Sequence, residues 1–416
     1  MSHPTQPPAE ETQPSYAANF HCIGADCEDA CCSGWAVPVD RITYLKYRNL
    51  PHGELRDLVD KFVVERPDRQ HDNFYASIGQ KEDGSCAFFG ADRLCAIQKQ
   101  LGPSLLTPTC SIYPRVLNVV AGKLEGSLNL SCPEAARNIL LRDNATEQPG
   151  NMLSGEFRTD NTFLLGGPAV LHPQFLRTRV LMVALARDRS KPVWQRLLLV
   201  ASLCKRLDEV AASNPAEAVG LLDTYARALG QGPSEELERL QPDVVKRLEV
   251  AITLGDARLR DLDCRPRYRN AFWDFIEGIG APRSEGPQGN ARRLREGESY
   301  LQALLERSPF LVENYLANAM YKNLFPFGQQ GSERIAPRSM FDEALLLLTQ
   351  FSWLMTMLAG IAGKYRSAFS YDHVIATVQP FARAVEHSPQ IQDDVLEFVK
   401  SRGLDNLEGL AKLLRL

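Results

Sequence analysis

Residues 22–32 read Cys22-Ile23-Gly24-Ala25-Asp26-Cys27-Glu28-Asp29-Ala30-Cys31-Cys32, a short stretch that carries four thiols. Thiolates gathered in this way are soft ligands that suit zinc or an iron–sulfur cluster. The next four cysteines of the chain are Cys86, Cys95, Cys110 and Cys132. We therefore expect residues 20–140 to be loops and small strands that their metal ligands hold together.

Disulfide pairing is the competing interpretation of these cysteines. Disulfide bonds are typical of small secreted domains, whereas this chain has 416 residues. Its first 19 residues are rich in Pro, Gln, Thr and Glu and lack the apolar segment of a signal peptide. The sequence therefore favours metal binding in a reducing cytoplasm.

The adjacent pair Cys31 and Cys32 bears on the number of sites. Neighbouring side chains of an extended or turn backbone point in different directions, so both rarely bind one ion. Eight thiolates can complete two sites of four ligands, or one site with four spare thiols. Their spacing matches neither a pair of zinc fingers nor the ferredoxin pattern, so it leaves the metal and the number of sites open.

Other side chains near the cysteines are weaker candidates. Arg115 lies shortly after Cys110, where it could balance thiolate charge, bind an anionic ligand such as a carboxylate, or form a structural ion pair. His21 is either a ligand or an exposed loop residue. We expect His387, on a C-terminal helix, to be a surface or core residue.

Composition excludes several classes of protein. With 44% apolar residues, 24% charged residues and a net charge of -4, the chain is globular and has no basic field for nucleic acid. Residues 344–363 carry no charge and are long enough to span a bilayer, but we predict a buried core helix because no second span accompanies them. The sequence contains no phosphate-binding loop, nucleophile elbow or zinc-protease helix motif.

The pattern along the chain predicts a mainly α protein. We expect a disordered leader at 1–19, an irregular cysteine-rich α+β metal domain at 20–140, a linker at 141–160 and an all-α helical domain at 161–416. Within these parts we predict a helix at 40–47 capped by Asp40, a hairpin at 116–130 around Gly122 and a helix beginning at Pro133. Further helices are expected at 172–186, 192–212, 217–229 and 235–254, with a loop at 281–290.

Several blocks of sequence resemble the bacterial flagellin lysine N-methyltransferases of FliB type. In the cysteine-rich region the similar blocks are Phe20–Trp35, Cys86–Phe89, Leu94–Gln98, Thr109–Arg115 and Leu130–Arg137. In the helical region they are Glu313–Asn318, Phe325–Phe327 and Phe381–Ser388. The cysteine-rich region alone also resembles a wider group of zinc- or iron-chelating domains, so the helical blocks are what point to flagellin.

The resemblance implies methylation of surface lysines of flagellin from S-adenosyl-L-methionine by a protein with an iron–sulfur cluster, [4Fe–4S] in form, zinc being the alternative. It implies that the ligands come from the eight cysteines, without saying which four. Lysine must react as a free amine, so a base or a desolvating site is required. Asp29, Tyr113 and Glu134 are candidates because each lies close to a cysteine in sequence, and Arg115 is the candidate for cofactor binding. The competing function is a non-catalytic metal module with a helical scaffold for binding proteins.

Overall fold

The computed structural model describes residues 13–67, 72–143, 145–146, 149–150, 162–260, 265–281, 286–330 and 338–415. Buried side chains in these ranges form two separate clusters, a small one between Val37 and Leu106 and a large one that contains the helical region. The protein is mainly α, as predicted. The cysteine-rich region, however, contributes to both cores.

The chain begins its described part in the large core. Strand β1, Gln13–Pro14, pairs with β7, Pro149–Gly150, and helix α1, Ser15–Ala18, follows β1 directly. The side chain of Tyr16 is 1% exposed and its hydroxyl donates to the Asn318 side chain. We predicted a disordered leader through residue 19, and residues 13–18 differ from that prediction because Tyr16 and Ala17 pack in the core. Residues 1–12, and most of the predicted linker, lie outside the described part.

The small core is built on a three-stranded antiparallel sheet. Its strands are β2, Val37–Val39, β3, Val63–Glu65, and β4, Ala76–Ile78, in the order β2-β4-β3. Helices α2, Arg41–Arg48, and α3, Glu54–Phe62, connect β2 to β3, and the carboxylate of Asp40 caps α2 as predicted. The short helices α4, Ala96–Leu101, and α5, Pro108–Ile112, complete this core.

The predicted hairpin belongs to the large core. Strands β5, Arg115–Val120, and β6, Lys123–Leu128, turn at Ala121 and Gly122, whose positive φ angles of 49° and 78° suit a tight hairpin. Strand β5 also pairs in parallel with β8, Thr162–Leu165. Helix α6, Pro133–Leu140, begins at Pro133 as predicted and packs against the helical region.

The helical region supplies most of the large core. Its helices are α7 Phe175–Arg187, α8 Val193–Ser213, α9 Ala218–Ala226, α10 Glu235–Glu238, α11 Val244–Leu259, α12 Pro266–Gly278, α13 Gly286–Arg307, α14 Phe310–Lys322, α15 Met340–Tyr365, α16 Tyr371–Phe381, α17 Pro389–Ser401 and α18 Leu407–Leu414. A π-helical turn, Ala382–Glu386, extends α16. The region is not purely helical, because β8 pairs with β9, Gln329–Gln330.

Two predicted helix boundaries differ from the structure. The single helix expected at 235–254 is two helices, since Pro242 interrupts the pattern and the Asp243 carboxylate accepts a hydrogen bond from the Lys246 amide to start α11. The predicted loop at 281–290 ends earlier, because α13 already begins at Gly286.

Helix α15 is the apolar segment that we predicted to be a core helix. It is long and apolar enough to cross a membrane by length and composition, and the apolar window is entirely buried inside the protein. Glycines let its neighbours approach closely: a Cβ at Gly297 of α13 would collide with the carbonyl oxygen of Ala359, and one at Gly278 of α12 would collide with that of Gly360. The buried helix is therefore held at backbone contact distance by two others.

Candidate metal centre

The cysteine loop, residues 21–35, lies between the two cores. Its backbone is fixed to the small core where the Cys86 amide donates to the Cys32 carbonyl oxygen at 2.9 Å. The Cys32 side chain packs against that core, whereas Cys31 is exposed. The two sulfur atoms are 4.0 Å apart. Cys31 nevertheless remains close to the small-core thiols, because it is a charged neighbour of Cys86 and Cys110.

Four thiols gather at the small core, and we call them the first thiol set: Cys32, Cys86, Cys95 and Cys110. Cys95 precedes α4 and Cys110 lies within α5. Burial raises the pKa of Cys110 to about 12, and the neighbouring thiolates of Cys31, Cys86 and Cys95 raise it further. Burial also raises the pKa of Cys86, while the Phe88 amide acts against this by donating to its sulfur.

We call the other four thiols of the cysteine-rich region the second thiol set: Cys22, Cys27, Cys31 and Cys132. Cys31 is a charged neighbour of thiols in both sets. The Gly24 amide donates to the Cys22 sulfur at 3.4 Å. Cys132 occupies the N-cap position of α6, where burial raises its pKa to about 12 and the amides of Glu134 and Ala135 act against this. Cys27 and Cys31 are the charged neighbours of Cys132.

The chemistry of these donors fits a metal–thiolate centre. The raised pKa values mean that most of these thiols are protonated without metal, so a bound metal displaces their protons. Amides aimed at sulfur, as at Cys22 and Cys132, favour the thiolate once it forms. Within the described residues, no three Cys, His, Asp or Glu side chains are gathered closely enough to hold a single metal ion.

Two arginines of the helical region hold the cysteine loop by its backbone. Arg383, on the π-helical turn after α16, donates to the carbonyl oxygens of Ala30 and Ser33 and pairs with the Asp29 carboxylate at 2.9 Å. Arg265, before α12, donates to both the hydroxyl and the carbonyl oxygen of Ser33. A hydrogen bond with Cys32 and the positive charge of Arg383 lower the pKa of Cys31 to about 7.

A buried hydrogen-bond network continues from this contact to Cys132. The Gln379 amide donates to the Asp29 carboxylate at 2.7 Å and to the Ser131 carbonyl oxygen at 2.8 Å. The Ser131 hydroxyl lies 2.6 Å from the His387 ring and 3.0 Å from the Tyr113 hydroxyl. Burial lowers the pKa of His387 to about 4, so its ring is neutral at pH 7. His387 itself is exposed, and its ring nitrogen reaches into this network at Ser131, so it is a surface residue of the helical region.

The three predicted candidates for a catalytic base all have structural partners. Asp29 is paired with Arg383, and Glu134 with Arg137 at 3.3 Å. Burial raises the pKa of Tyr113 well above its usual value, and its hydroxyl is hydrogen-bonded to Ser131. These contacts hold Asp29 beside Arg383 and Tyr113 beside Ser131, and the role of either as a base stays a prediction.

Arg115 and His21 contact the chain near residue 20. Arg115 donates to the Phe20 carbonyl oxygen at 3.1 Å and its guanidinium lies 5.2 Å from the Phe20 ring centroid. The His21 ring nitrogen is 3.0 Å from the Asn19 carbonyl oxygen. Arg383 places a guanidinium near Cys31, and Arg93 donates to the carbonyl oxygen of Cys27. We did not single out Arg383 from the sequence, although it lies inside the block 381–388 that carries the family resemblance.

Comparison with known proteins identifies the helical region. Residues 179–413 match the profile described as the FliB lysine N-methylase C-terminal domain. The chain is 33% identical over 131 residues to the flagellar biosynthetic protein FliU of Salmonella muenchen, a match that covers 31% of this chain and 76% of FliU. It is 32% identical over 130 residues to lysine-N-methylases of Salmonella choleraesuis and Salmonella typhimurium, which covers 31% of this chain and 32% of each relative. No solved structure matches the chain.

Proposed function

Because this chain belongs to the FliB lysine N-methylase family, we propose that it transfers methyl groups from S-adenosylmethionine to lysine side chains of flagellin. The matching domain at 179–413 covers more than half of the chain, and one relative is named for flagellar biosynthesis. We place the reaction in the cytoplasm, where cysteine thiols remain reduced. Flagellin is then a protein substrate that this chain meets before export.

Methyl transfer to lysine requires the amine form of the substrate. A bond forms between the lysine nitrogen and the methyl carbon as the bond from that carbon to the sulfonium sulfur breaks, and S-adenosylhomocysteine leaves. The lysine loses a proton to reach this state, against an ordinary pKa of ~10.4. A poorly solvated site lowers that pKa without a dedicated base. The chain's contribution is therefore to bind and desolvate the lysine next to the methyl donor.

We further propose that the first thiol set, Cys32, Cys86, Cys95 and Cys110, holds a [4Fe–4S] cluster. Four thiolates on a single zinc ion, each ~2.3 Å from the metal, bring their sulfur atoms to roughly 3.8 Å from one another. A cluster spreads its ligands more widely because each iron has its own thiolate. The resemblance to the FliB-type enzymes supports the cluster, and zinc is the alternative.

One observation supports the proposal that the thiols take part in the activity of the methylase domain. Arg383, inside the family's C-terminal domain, binds the backbone of the loop that contains Cys31 and Cys32. This contact joins the matched domain to the cysteine loop through partly buried hydrogen bonds. When bound, the cluster would supply metal coordination next to this contact, where Arg383 offsets negative charge.

The test is anaerobic purification followed by iron, sulfide and zinc analysis and a methylation assay on flagellin. We expect iron and sulfide in the wild type, methyl-lysine by mass spectrometry, and loss of iron in the variant Cys86→Ser/Cys110→Ser. Cys204→Ala is the matched control, because Cys204 is buried among the helices away from both thiol sets. A folded protein that contains zinc without sulfide contradicts the cluster, and one that binds no S-adenosylmethionine contradicts the methyltransferase.

A further inference from the structure

We propose that the small core is a movable lid, which an arginine latch holds closed against the helical region. The latch consists of Arg265 and Arg383, whose guanidinium groups both bind Ser33 of the cysteine loop. The purpose that we assign to opening, admission of a lysine-bearing segment of the substrate, rests on the proposed function. The motion itself does not.

The two cores are not joined by apolar packing. Among the described residues, the buried apolar side chains fall into two clusters, and the partly buried ones that pack against one cluster do not pack against the other. Burial of apolar surface is the main force that holds two structural units in one arrangement. Units that meet through a small polar interface are expected to move relative to each other.

The first of two chain connections between the cores lies in the cysteine loop. Phe20 is buried in the large core, and Arg137 of α6 pairs with Glu28, so the chain as far as residue 28 is attached to the large core. Cys32 already packs against the small core. The connection is therefore only a few residues long.

The second connection follows α5. This helix ends at Ile112, and the next residue, Tyr113, packs against the large core with its hydroxyl 3.0 Å from that of Ser131. The two connections are close together, because the thiols of Cys32 and Cys110 are charged neighbours. Two short connections at one place allow the small core to rotate about the line that joins them.

Ser33 is the point at which the latch engages. It pairs with Ser85 as an antiparallel bridge, and the Cys86 amide donates to the carbonyl oxygen of the preceding cysteine at 2.9 Å, so this segment moves with the small core. The Ser33 carbonyl oxygen accepts hydrogen bonds from Arg383, at 3.1 Å, and from Arg265. These arginines therefore join the small core to the helical region.

Gly34 leaves the space that Arg265 needs to reach Ser33. A Cβ at Gly34 would collide with the Arg265 guanidinium, and the φ angle of 75° at this position also favours glycine. A methyl group at residue 34 should therefore displace the arginine without removing its charge.

The closed latch buries the groups behind it. Ser131 is 1% exposed and Gln379 is 0% exposed, so a protein segment does not reach them while the latch is engaged. In an enzyme that modifies lysines of another protein, opening would admit the lysine-bearing segment, and closing would exclude water around it.

The experiment measures the distance between the two cores in the whole chain purified anaerobically. A spin label is attached through p-acetylphenylalanine in place of Ile42 of α2 and of Val180 of α7, which are 63% and 53% exposed, so that no cysteine is modified. Pulsed electron paramagnetic resonance should show mainly one distance in the wild type. Arg265→Gln and Gly34→Ala should each raise the ratio of a longer distance to this one about tenfold, since a hydrogen bond from a charged donor contributes roughly that factor.

Two substitutions serve as controls. Gly122→Ala also places a methyl group at a positive φ angle, 78°, but its Cβ would have no atom within 4 Å. Arg177→Gln removes an arginine from an exposed ion pair of the helical region. Both should keep the wild-type distance distribution.

A second label pair, at Val180 and Tyr300, lies within the helical region and should keep its distance in every variant. An unchanged distance between the cores in Arg265→Gln and Gly34→Ala overturns the lid. A change in the second pair as well overturns it too, because the arginines would then hold the helical region itself together. If the cores separate as expected but flagellin is not methylated, only the proposed enzyme activity is contradicted.

Discussion

Arg383 and Asp29 form an ion pair of 2.9 Å in which the two side chains are only 9% and 13% exposed. The pair joins the C-terminal domain of the family to the cysteine loop, and Gln379 binds the same carboxylate. Buried charges are costly unless both partners are present. The position of the loop therefore depends on a contact within the helical region.

Removal of either partner should destabilise the protein. Arg383→Gln leaves Asp29 buried without its cation, and we expect a loss of about 3–5 kcal/mol in the free energy of unfolding. Asp29→Asn with Arg383→Gln should recover part of this loss, since no unpaired charge remains. Urea unfolding measures all three variants. The matched control is Arg177→Gln, whose partner Asp223 is 49% exposed and whose loss should cost at most ~1 kcal/mol.

Iron content should separate the two arginines near the cysteines. Arg383→Gln removes donors to the carbonyl oxygens of Ala30 and Ser33, so the cysteine loop loses its position and iron per chain should fall by at least about half. Arg115→Gln should retain its iron, because Arg115 donates to Phe20 instead. Elemental analysis after anaerobic purification measures the iron per chain in each variant. Equal iron content in the two variants would count against the role of Arg383.

The glycines beside α15 should not tolerate a methyl group. A Cβ at Gly297 would meet the carbonyl oxygen of Ala359, so Gly297→Ala forces α13 away from α15. We expect a loss of ~1–3 kcal/mol in the free energy of unfolding, measured with urea. Gly220→Ala is the control, because Gly220 also lies in a helix and a Cβ added there would have no atom within 4 Å. The control should be neutral or more stable by up to ~1 kcal/mol.

His387 should make the protein less stable in mild acid. Burial lowers its pKa from 6.5 to about 4, with Lys322, Arg383 and Arg265 adding to this and Glu386 opposing it. The unfolded chain therefore binds more protons than the folded one between these values, so stability falls as the pH falls from 6.5 to 4.

Glu343 changes the stability of the protein in the opposite direction over an overlapping pH range. Burial raises its pKa from 4.5 to about 7, so its contribution is present below pH 4.5 and is lost as the pH rises to 7. The effect of His387 is therefore measured as the difference in unfolding free energy between wild type and His387→Gln at each pH. A difference that does not change between pH 4 and 6.5 would rule out the lowered pKa of His387.

Local signals in the sequence were sufficient for several elements. The Asp40 cap, the turn at Gly122 and the start of α6 at Pro133 each depend on residues within a few positions, and the structure confirms them. The break between α10 and α11 also had a local signal, Pro242. We predicted one helix there because the apolar spacing continues on both sides of this proline. Such features are predictable because neighbours in sequence determine them.

Contacts between distant residues were not predictable in this way. Tyr16 is ordered by Asn318, and Cys132 is brought to the cysteine loop by Gln379. No periodicity or spacing links such positions, so the sequence alone does not show which thiols lie together. The role of Arg383 was not predicted for the same reason, because its partners lie about 350 residues earlier in the sequence.

The distance in sequence between Ser33 and Arg383 has a consequence for biosynthesis. Their contact spans 350 residues. At ~5–20 residues per second, a ribosome needs roughly 20 to 70 s to make the chain between them. During that time the cysteine loop has been translated but lacks the groups that hold it in place. Nascent chains therefore carry the cysteine loop without the contacts of Arg383 until translation has passed that residue, and correct metal loading is expected only afterwards.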